Sequence, residues 1–444
     1  IGAKASFSNP IPISLSVPFI GIAGGLDSVD IVDVGLEHLS LQPGPNALQA
    51  EVGLHFNNAD SAQSKVATFV GELVGGQLGN TPEAITLHNL RIGASPSDYF
   101  DLFSKIDISI PSKDIINKPN IDYIMSKAGL SLDGAANNLL NNLKIGAISA
   151  DLNKAPVIEL GTSISVSNFS LNAAVNIGYF GIDLALDSHS LARVDVPSIT
   201  ISTANNQLTL AVKASVTIQD TPEIQTDIAN LFNYFMSNTT TAPVNSLVIS
   251  RPLLGVSTSD NIRTFSLIQY PLALPELLAK ARAYLNQVLA GAGGFNMNNI
   301  ALSGLVVDLN NPSIIAIQGA LQVKNLTLPA DISINYVGVS LGLDSTPFAD
   351  LTIPSLSLTS ANNALSVSFQ ANLDVKQGQA LNTQIVKLVA PPTNVVIYEP
   401  VFGADKNRLF RILSQIKFNI PIAPYLKKIG DLLNGALNGG AGSN

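Results

Sequence analysis

Polar and apolar residues alternate along most of this chain, and at intervals the alternation gives way to helical spacing. The clearest passage begins with a mixed stretch from Ile148 to Leu160, broken by Asn153 and Pro156, and alternates through Ile164 and Val166. Ile182-Asp-Leu-Ala-Leu, Val194-Asp-Val-Pro-Ser-Ile-Thr-Ile and Leu208-Thr-Leu-Ala-Val-Lys-Ala-Ser-Val follow, separated by Asp187-Ser188 and Asn205-Asn206. A period of two predicts half-buried strands. The gaps are too short for crossover helices, so the strands are antiparallel. Ile224, Ile228, Leu231 and Phe235 then share one helical face, with Thr221-Pro222-Glu223 as cap and first turn. That face suits either packing on the sheet or lining a lipid groove. A later apolar strand leads to Gly255, and Leu277, Ala281, Tyr284 and Val288 predict a closing helix.

The whole pattern recurs. Gly21, Asp27-Ser28, Asn46 and Leu48 reappear 160 residues on as Gly181, Asp187-Ser188, Asn206 and Leu208, and after a further 157 as Gly338, Asp344-Ser345, Asn363 and Leu365. Helical spacing returns at Ala62, Val66, Phe69 and Leu73 and at Leu381, Ile385 and Leu388; a second helix is expected over Leu426, Ile429, Leu433 and Leu437. Gly93 and Gly403 match Gly255 and read as turn glycines, with Phe100, Ile262 and Phe410 seven positions later. Such a period means repeated supersecondary units. The expected fold class is mainly β with peripheral helices: three tandem Ig- or fibronectin-like antiparallel β-sandwiches, each carrying about two amphipathic helices. The expected domains are 1–144, 145–297 and 298–444.

The first unit is shorter. From Asn9 to Asp27 is 18 residues, against 34 from Asn153 to Asp187 and 33 from Asn311 to Asp344. About one strand and a turn are absent. The opening Ile1-Gly-Ala resembles Ile145-Gly-Ala, which would delete the second strand; an ungapped alignment would delete the first. A sandwich short of a strand leaves an edge that can recruit another, so self-association through that edge or through domain ends is expected.

Composition limits the tasks. Hydrophobic residues make up 46% of the 444 residues and charged residues only 13%, roughly half the usual share. A surface so weakly charged suits an assembly, a glycan coat or a lipid partner. The net charge of -8 argues against nucleic acid. There is no cysteine, so no disulfide holds the units together. The sequence has neither an apolar run of bilayer length nor the regions of a signal peptide, so an exported form would be mature or a fragment. Three sequons, Asn168-Phe-Ser, Asn238-Thr-Thr and Asn325-Leu-Thr, mark candidate glycosylation sites. Asn168 and Asn325 stand 157 apart, the spacing of the second and third units, which supports export.

Asn9-Pro10 and Asn311-Pro312, with a later strand that ends in Leu39-Ser-Leu-Gln-Pro-Gly-Pro-Asn-Ala-Leu, resemble a fungal domain family of unknown function related to plant late-embryogenesis-abundant proteins of the water-stress and hypersensitive-response type. In the second and third units Thr-Ala-Asn-Asn and Ser-Ala-Asn-Asn replace the Pro-Gly-Pro-Asn turn. The resemblance implies an Ig-like sandwich, extracytoplasmic placement and lipid contact.

Signs of catalysis are scarce. The four histidines, His38, His55, His88 and His189, leave the third unit without one, and no zinc-protease helix, nucleophile elbow or phosphate loop is present. Asp27, Asp30 and Asp33 suggest a calcium cluster, but alternate strand positions point to opposite faces. The recurrent Asp reads instead as a turn residue that binds backbone amides. No catalytic residue, cofactor or metal is expected. The function expected is a non-enzymatic extracellular or cell-surface building block, structural or adhesive, that assembles end to end. The alternative is a lipid-binding or lipid-transfer module, placed on the lumenal or vacuolar side of a membrane if not outside the cell.

Overall fold

The computed structural model describes residues 2–9, 14–42, 44–74, 84–112, 143–146, 148–167, 175–204, 207–237, 243–276, 278–279, 300–311, 314–324, 332–343, 346–361, 364–376 and 394–421. The fold is mainly β, and its strands form three antiparallel ladders of like order. The first contains β1 (Gly2–Asn9), β2 (Leu15–Leu26), β3 (Val29–Leu41), β4 (Gly44–Phe56), the helix α1 (Asp60–Val74), β5 (Ala84–Ser95), β6 (Asp98–Phe100) and β7 (Ile108–Pro111). Its order is β1-β4-β3-β2-β5, with β6 and β7 both on β5.

The second ladder contains β8 (Leu143–Ile145), β9 (Ser149–Lys154), β10 (Val157–Ser167), β11 (Val175–Ile177), β12 (Tyr179–Leu186), β13 (His189–Val196), β14 (Ile199–Ala204), β15 (Gln207–Ile218), α2 (Pro222–Ser237), β16 (Ser246–Gly255), β17 (Asn261–Ile262) and β18 (Gln269–Ala273). The third contains β19 (Ile300–Asp308), β20 (Ile314–Lys324), β21 (Ile332–Ile334), β22 (Tyr336–Leu343), β23 (Thr346–Ala361), β24 (Ala364–Val375), β25 (Asn394–Asp405), β26 (Arg408–Phe410) and β27 (Phe418–Pro421). A short parallel pairing, Ile332 with Ala150 and Ser333 with Asp151, joins these two ladders in one hydrogen-bonded sheet. Asn153 reinforces it: its Oδ1 accepts from Asn335 N at 2.7 Å and its Nδ2 donates to Ser333 O at 3.2 Å.

The register decides which strand the first unit lacks. Leu48 pairs with Ala5 as Leu208 pairs with Val166 and Leu365 with Val323. β1 therefore stands where β10 and β20 stand, in the second-strand position. The place of β9 and β19 has no counterpart among the described residues of the first ladder.

Irregularities repeat as faithfully as strands. The β2–β5 pairing slips between Gly21 and Ala23, β12–β16 between Gly181 and Asp183, and β22–β25 between Gly338 and Ser340. Opposite each slip lies a residue in the left-handed region: Asn89 (φ 54), Arg251 (φ 48) and Glu399 (φ 50). Only the asparagine is of a type that favours this conformation, which is why no sequence pattern marks the site. Gly181 leaves room for Tyr179 and Arg193, whose atoms reach the space a Cβ would fill. Arg193 donates to Asp183 at 2.7 Å, Tyr179 at 2.8 Å and Asp195 at 3.0 Å. Burial disfavours its charge, but these partners outweigh burial and raise its pKa.

The recurrent Asp does more than shape a turn. Asp187, at φ 49, accepts from Ser246 N at 2.8 Å, Ser246 Oγ at 2.8 Å and Asn245 N at 3.2 Å, and so pins the start of β16, 59 residues away in sequence. Asp27, at φ 52, likewise accepts from Ala84 N at 2.9 Å and pairs with Lys65 at 2.6 Å. The Lys65 hydrogen bond lowers the Asp27 pKa. For Asp187 burial opposes ionisation, and the bonds from Ser246 and Asn245 overcome it, so its pKa is lowered too.

A carboxylate with a lowered folded pKa stabilises the fold above its ordinary pKa, and the contribution disappears as pH falls through the folded value. Asp187→Asn, which keeps a residue tolerant of positive φ, should cost about 1 kcal/mol or less at neutral pH, given the exposure of the site. The gap between its unfolding curves and those of the parent chain should begin to narrow as pH falls below about 4 and close only below the lowered folded pKa. An unchanged gap between the two proteins across that range would rule the pin out as a charged contact.

Candidate functional site: the joints between ladders

Successive ladders meet through one recurring contact, in which the start of a helix holds a double turn of the next ladder. In the first joint Asn58, just ahead of α1, is the acceptor. Its Oδ1 receives Arg263 N at 2.6 Å and Thr264 N at 3.2 Å, and its Nδ2 donates to Asn261 O at 3.2 Å. Thr264, with 0% of its surface exposed, donates through Oγ1 to Asn57 O at 2.8 Å. Ser266 Oγ donates to Gln63 Oε1 at 2.6 Å, and Gln63 Nε2 donates to Asn58 O at 2.7 Å. Phe56 and Phe265 meet edge to face with centroids 5.6 Å apart.

The second joint repeats the plan 162 residues on for the helix and 148 on for the turn. Asp220 replaces Asn58, and its Oδ2 accepts from Arg411 N at 2.6 Å. Gln225 replaces Gln63: it donates to Asp220 Oδ1 at 3.1 Å and accepts from Ser414 Oγ at 3.0 Å. Ile412 stands where Thr264 stood and packs against the core cluster of Leu186, Ile224, Leu231, Val244 and Leu274. Gln415 adds bonds with Thr226 Oγ1 at 2.9 Å and Pro222 O at 3.3 Å. Phe232 and Phe418 meet at 5.0 Å.

Both halves follow from local chemistry. Thr221 caps α2 by accepting Ile224 N at 3.4 Å, with Pro222 in the first helical position. The turn is held by Ser266 N to Arg263 O and Ile268 N to Phe265 O, and again by Ser414 N to Arg411 O and Ile416 N to Leu413 O. The sequence reading did not single out Asn58, Gln63, Asp220, Gln225, Ser266 or Ser414. A signal was present: Gln63 and Gln225 recur 162 apart and Ser266 and Ser414 recur 148 apart, but the insertion between helix and turn changes the offset from unit to unit.

The helix face named from sequence divides unevenly. Ile224 is wholly buried, Leu231 is buried and Ile228 packs against their cluster from a half-buried position. Phe235 is half-buried. In α1, Ala62 and Val66 are buried. Asn168, Asn238 and Asn325 lie outside the described residues, as do Asn206, Asp344, Asn363, the helix expected at Leu381, and those at Ala281 and Leu426. Gly93 and Gly403 lie inside strands and Gly255 is the last residue of one, each where the hairpin partner crosses so closely that a Cβ on Gly255 would meet Asn261 Cα at 2.5 Å.

Asp27, Asp30 and Asp33 turn to three different partners: Asp27 to Lys65, Asp30 to His88 at 2.7 Å, and Asp33 to Arg91. Among the described residues no group of three His, Cys, Asp or Glu is placed to hold a metal ion. His189 pairs with Asp227 at 2.7 Å, and this bond raises its pKa. A cleft of about 780 Å³ beside the second joint is lined by Asp350, Asp374, Glu399 and Arg411, with Asp350 bonded to Lys376 and Ser340. No described helix is long and apolar enough to cross a membrane.

No family model and no curated protein matches the sequence. Among solved structures, the CupB6 tip adhesin of Pseudomonas aeruginosa aligns with 63% of this chain and 98% of its own, at 8% identity and a TM-score of 0.14. A partial N-terminal region of enterococcal surface protein aligns with 62% and 93%, at 10% identity and a TM-score of 0.13.

Proposed function

We propose that this chain is a non-enzymatic extracellular building block, structural or adhesive, made of three tandem Ig-like sandwich domains at 1–144, 145–297 and 298–444. The joint carries the reading. Two successive contacts use the same positions, keeping the serine–glutamine bond while Asp220 replaces Asn58 and Ile412 replaces Thr264, which is what a stacked array of like parts requires. Both contacts are heterologous, one face of a unit meeting a different face of the next, and such contacts give arrays their direction. The weakly charged surface and the matched sequons at Asn168 and Asn325 fit exposure outside the cell, with N-linked glycans on those residues and on Asn238. A lipid module would need open apolar space beneath α2, whereas Ile224 and Leu231 are packed against Leu186, Val244 and Leu274.

Surface biotinylation of intact source cells, followed by peptide mapping with and without amidase, tests the reading. The chain should be labelled on intact cells and should carry glycan on Asn168 and Asn325. Recovery only from the cell interior, unmodified, would refute it.

A further inference from the structure

Each ladder builds the same socket on one face, and the first two fill it with the same chemical group. Gly21, Gly181 and Gly338 stand in identical register, paired with Arg91, Leu253 and Val401 on one side and with Gly35, Asp195 and Thr352 on the other. The aromatic residue two positions earlier, Phe19, Tyr179 or Tyr336, leans over the glycine in all three. In the first ladder β5 delivers a guanidinium to this spot: Arg91 lies 5.8 Å from the centroid of the Phe19 ring and pairs with Asp33. In the second it arrives from the other side, where β13 sets Arg193 among Tyr179, Asp183 and Asp195. Both arginines are mostly buried, with 12% and 19% of the side chain exposed. Two different strands thus bring one group to one place.

The third ladder keeps the residues that hold Arg91 and has an arginine at neither position. Asp350 lies opposite Ser340 as Asp33 lies opposite Ala23, and Tyr336 takes the place of Phe19. The places of Arg91 and Arg193 carry Val401 and Asp350. Over these residues opens the cleft of about 780 Å³, whose lining consists wholly of described residues. Its charge is acidic: Asp374 and Glu399 join Asp350, against Arg411 alone, and Glu399 stands at the left-handed position where the second ladder has Arg251. Ser340 and Lys376 both bond Oδ1 of Asp350, at 2.8 and 2.9 Å, so Oδ2 remains as an acceptor. We infer that this cleft binds the guanidinium of an arginine side chain carried by a partner peptide, held as Arg91 is held in the first ladder. Asp350 accepts its N–H groups, the Tyr336 ring offers a cation–π face, and Glu399 and Asp374 add negative charge. Val401 and Ile314, which also line the cleft, suit the methylene stem. An ammonium fits less well, because a planar fork spans a carboxylate and lies flat on a ring while an ammonium is a point charge. The inference goes beyond the building-block reading and does not depend on it.

Calorimetric titration of the full chain with N-acetylarginine amide, and with its citrulline and lysine counterparts, tests this. The arginine compound should bind about tenfold or more tightly than either, since the neutral isostere forfeits the ion pair and the ammonium forfeits the fork. Asp350→Asn, which keeps the shape of the side chain, should weaken binding about tenfold with an unchanged unfolding midpoint. Val401→Arg, which recreates the arrangement of the first ladder, should abolish binding by filling the cleft from within. No binding of the arginine compound at about 10 mM, equal binding of the three compounds, an Asp350→Asn variant that binds like the parent, or a folded Val401→Arg variant that still binds would each overturn the inference. The building-block reading survives any of these results, because it rests on the joints and falls by the cell-surface test instead.

Discussion

Replacing Ile224 by alanine should destabilise the second ladder by about 2–5 kcal/mol, the cost of removing a large side chain from a filled core. Ile224 is 0% exposed and sits among Leu186, Leu231, Val244 and Leu274. The loss should not stay within one unit. Ile412 of the next repeat packs on the same cluster, so amides of residues 411–416 should exchange faster in the variant, together with those of α2. Ile228→Ala, at the half-buried margin, should cost less. Denaturant unfolding with hydrogen exchange reads both effects. A change below about 0.5 kcal/mol, the size of an ordinary surface substitution, would mean that the face of α2 is not packed, and a lipid groove would again become the better account.

The second large effect is expected at Asn58. Asn58→Leu removes the acceptor shared by the Arg263 and Thr264 amides; Arg263 is exposed and water can replace its acceptor, but Thr264 is buried, and a donor left buried without a partner costs about 1–3 kcal/mol. Exchange should quicken at residues 262–266 while the β2–β5 ladder keeps its protection. Asp220→Leu should do the same to residue 411 at the second joint, where Asp220 receives Arg411 N. Equal protection in parent and variants would show that the joints do not form in solution.

Much of the architecture was legible because its causes lie in side chains. The alternation at Ile182 and Leu208, the cap at Thr221-Pro222 and the buried stripe from Ile224 to Leu231 all have compositional signatures, and all appear as strands, cap and core. The choice between a missing first and second strand was not legible, since β1 owes its place to its ladder with β4 and not to its resemblance to residues 145–147. The joint was the least legible part. Its donors are backbone amides at Arg263, Thr264 and Arg411, which every residue but proline possesses. Its acceptors, Asn58 and Asp220, differ in type, so similarity of sequence passes over a similarity of contact.

The left-handed residue in β5, β16 and β25 has a wider bearing. An extra residue in one strand bends it and sharpens its twist. Because Asn89, Arg251 and Glu399 each stand four residues before Gly93, Gly255 and Gly403, every ladder sends its last hairpin and double turn off the sheet from the same kink. The side chains at the kink are free to vary, since the constraint is on the backbone alone. Interchangeable couplings need a common gauge, and in this protein the gauge is a backbone dihedral: three unlike residues, held near the same angle, cut the same thread on each part.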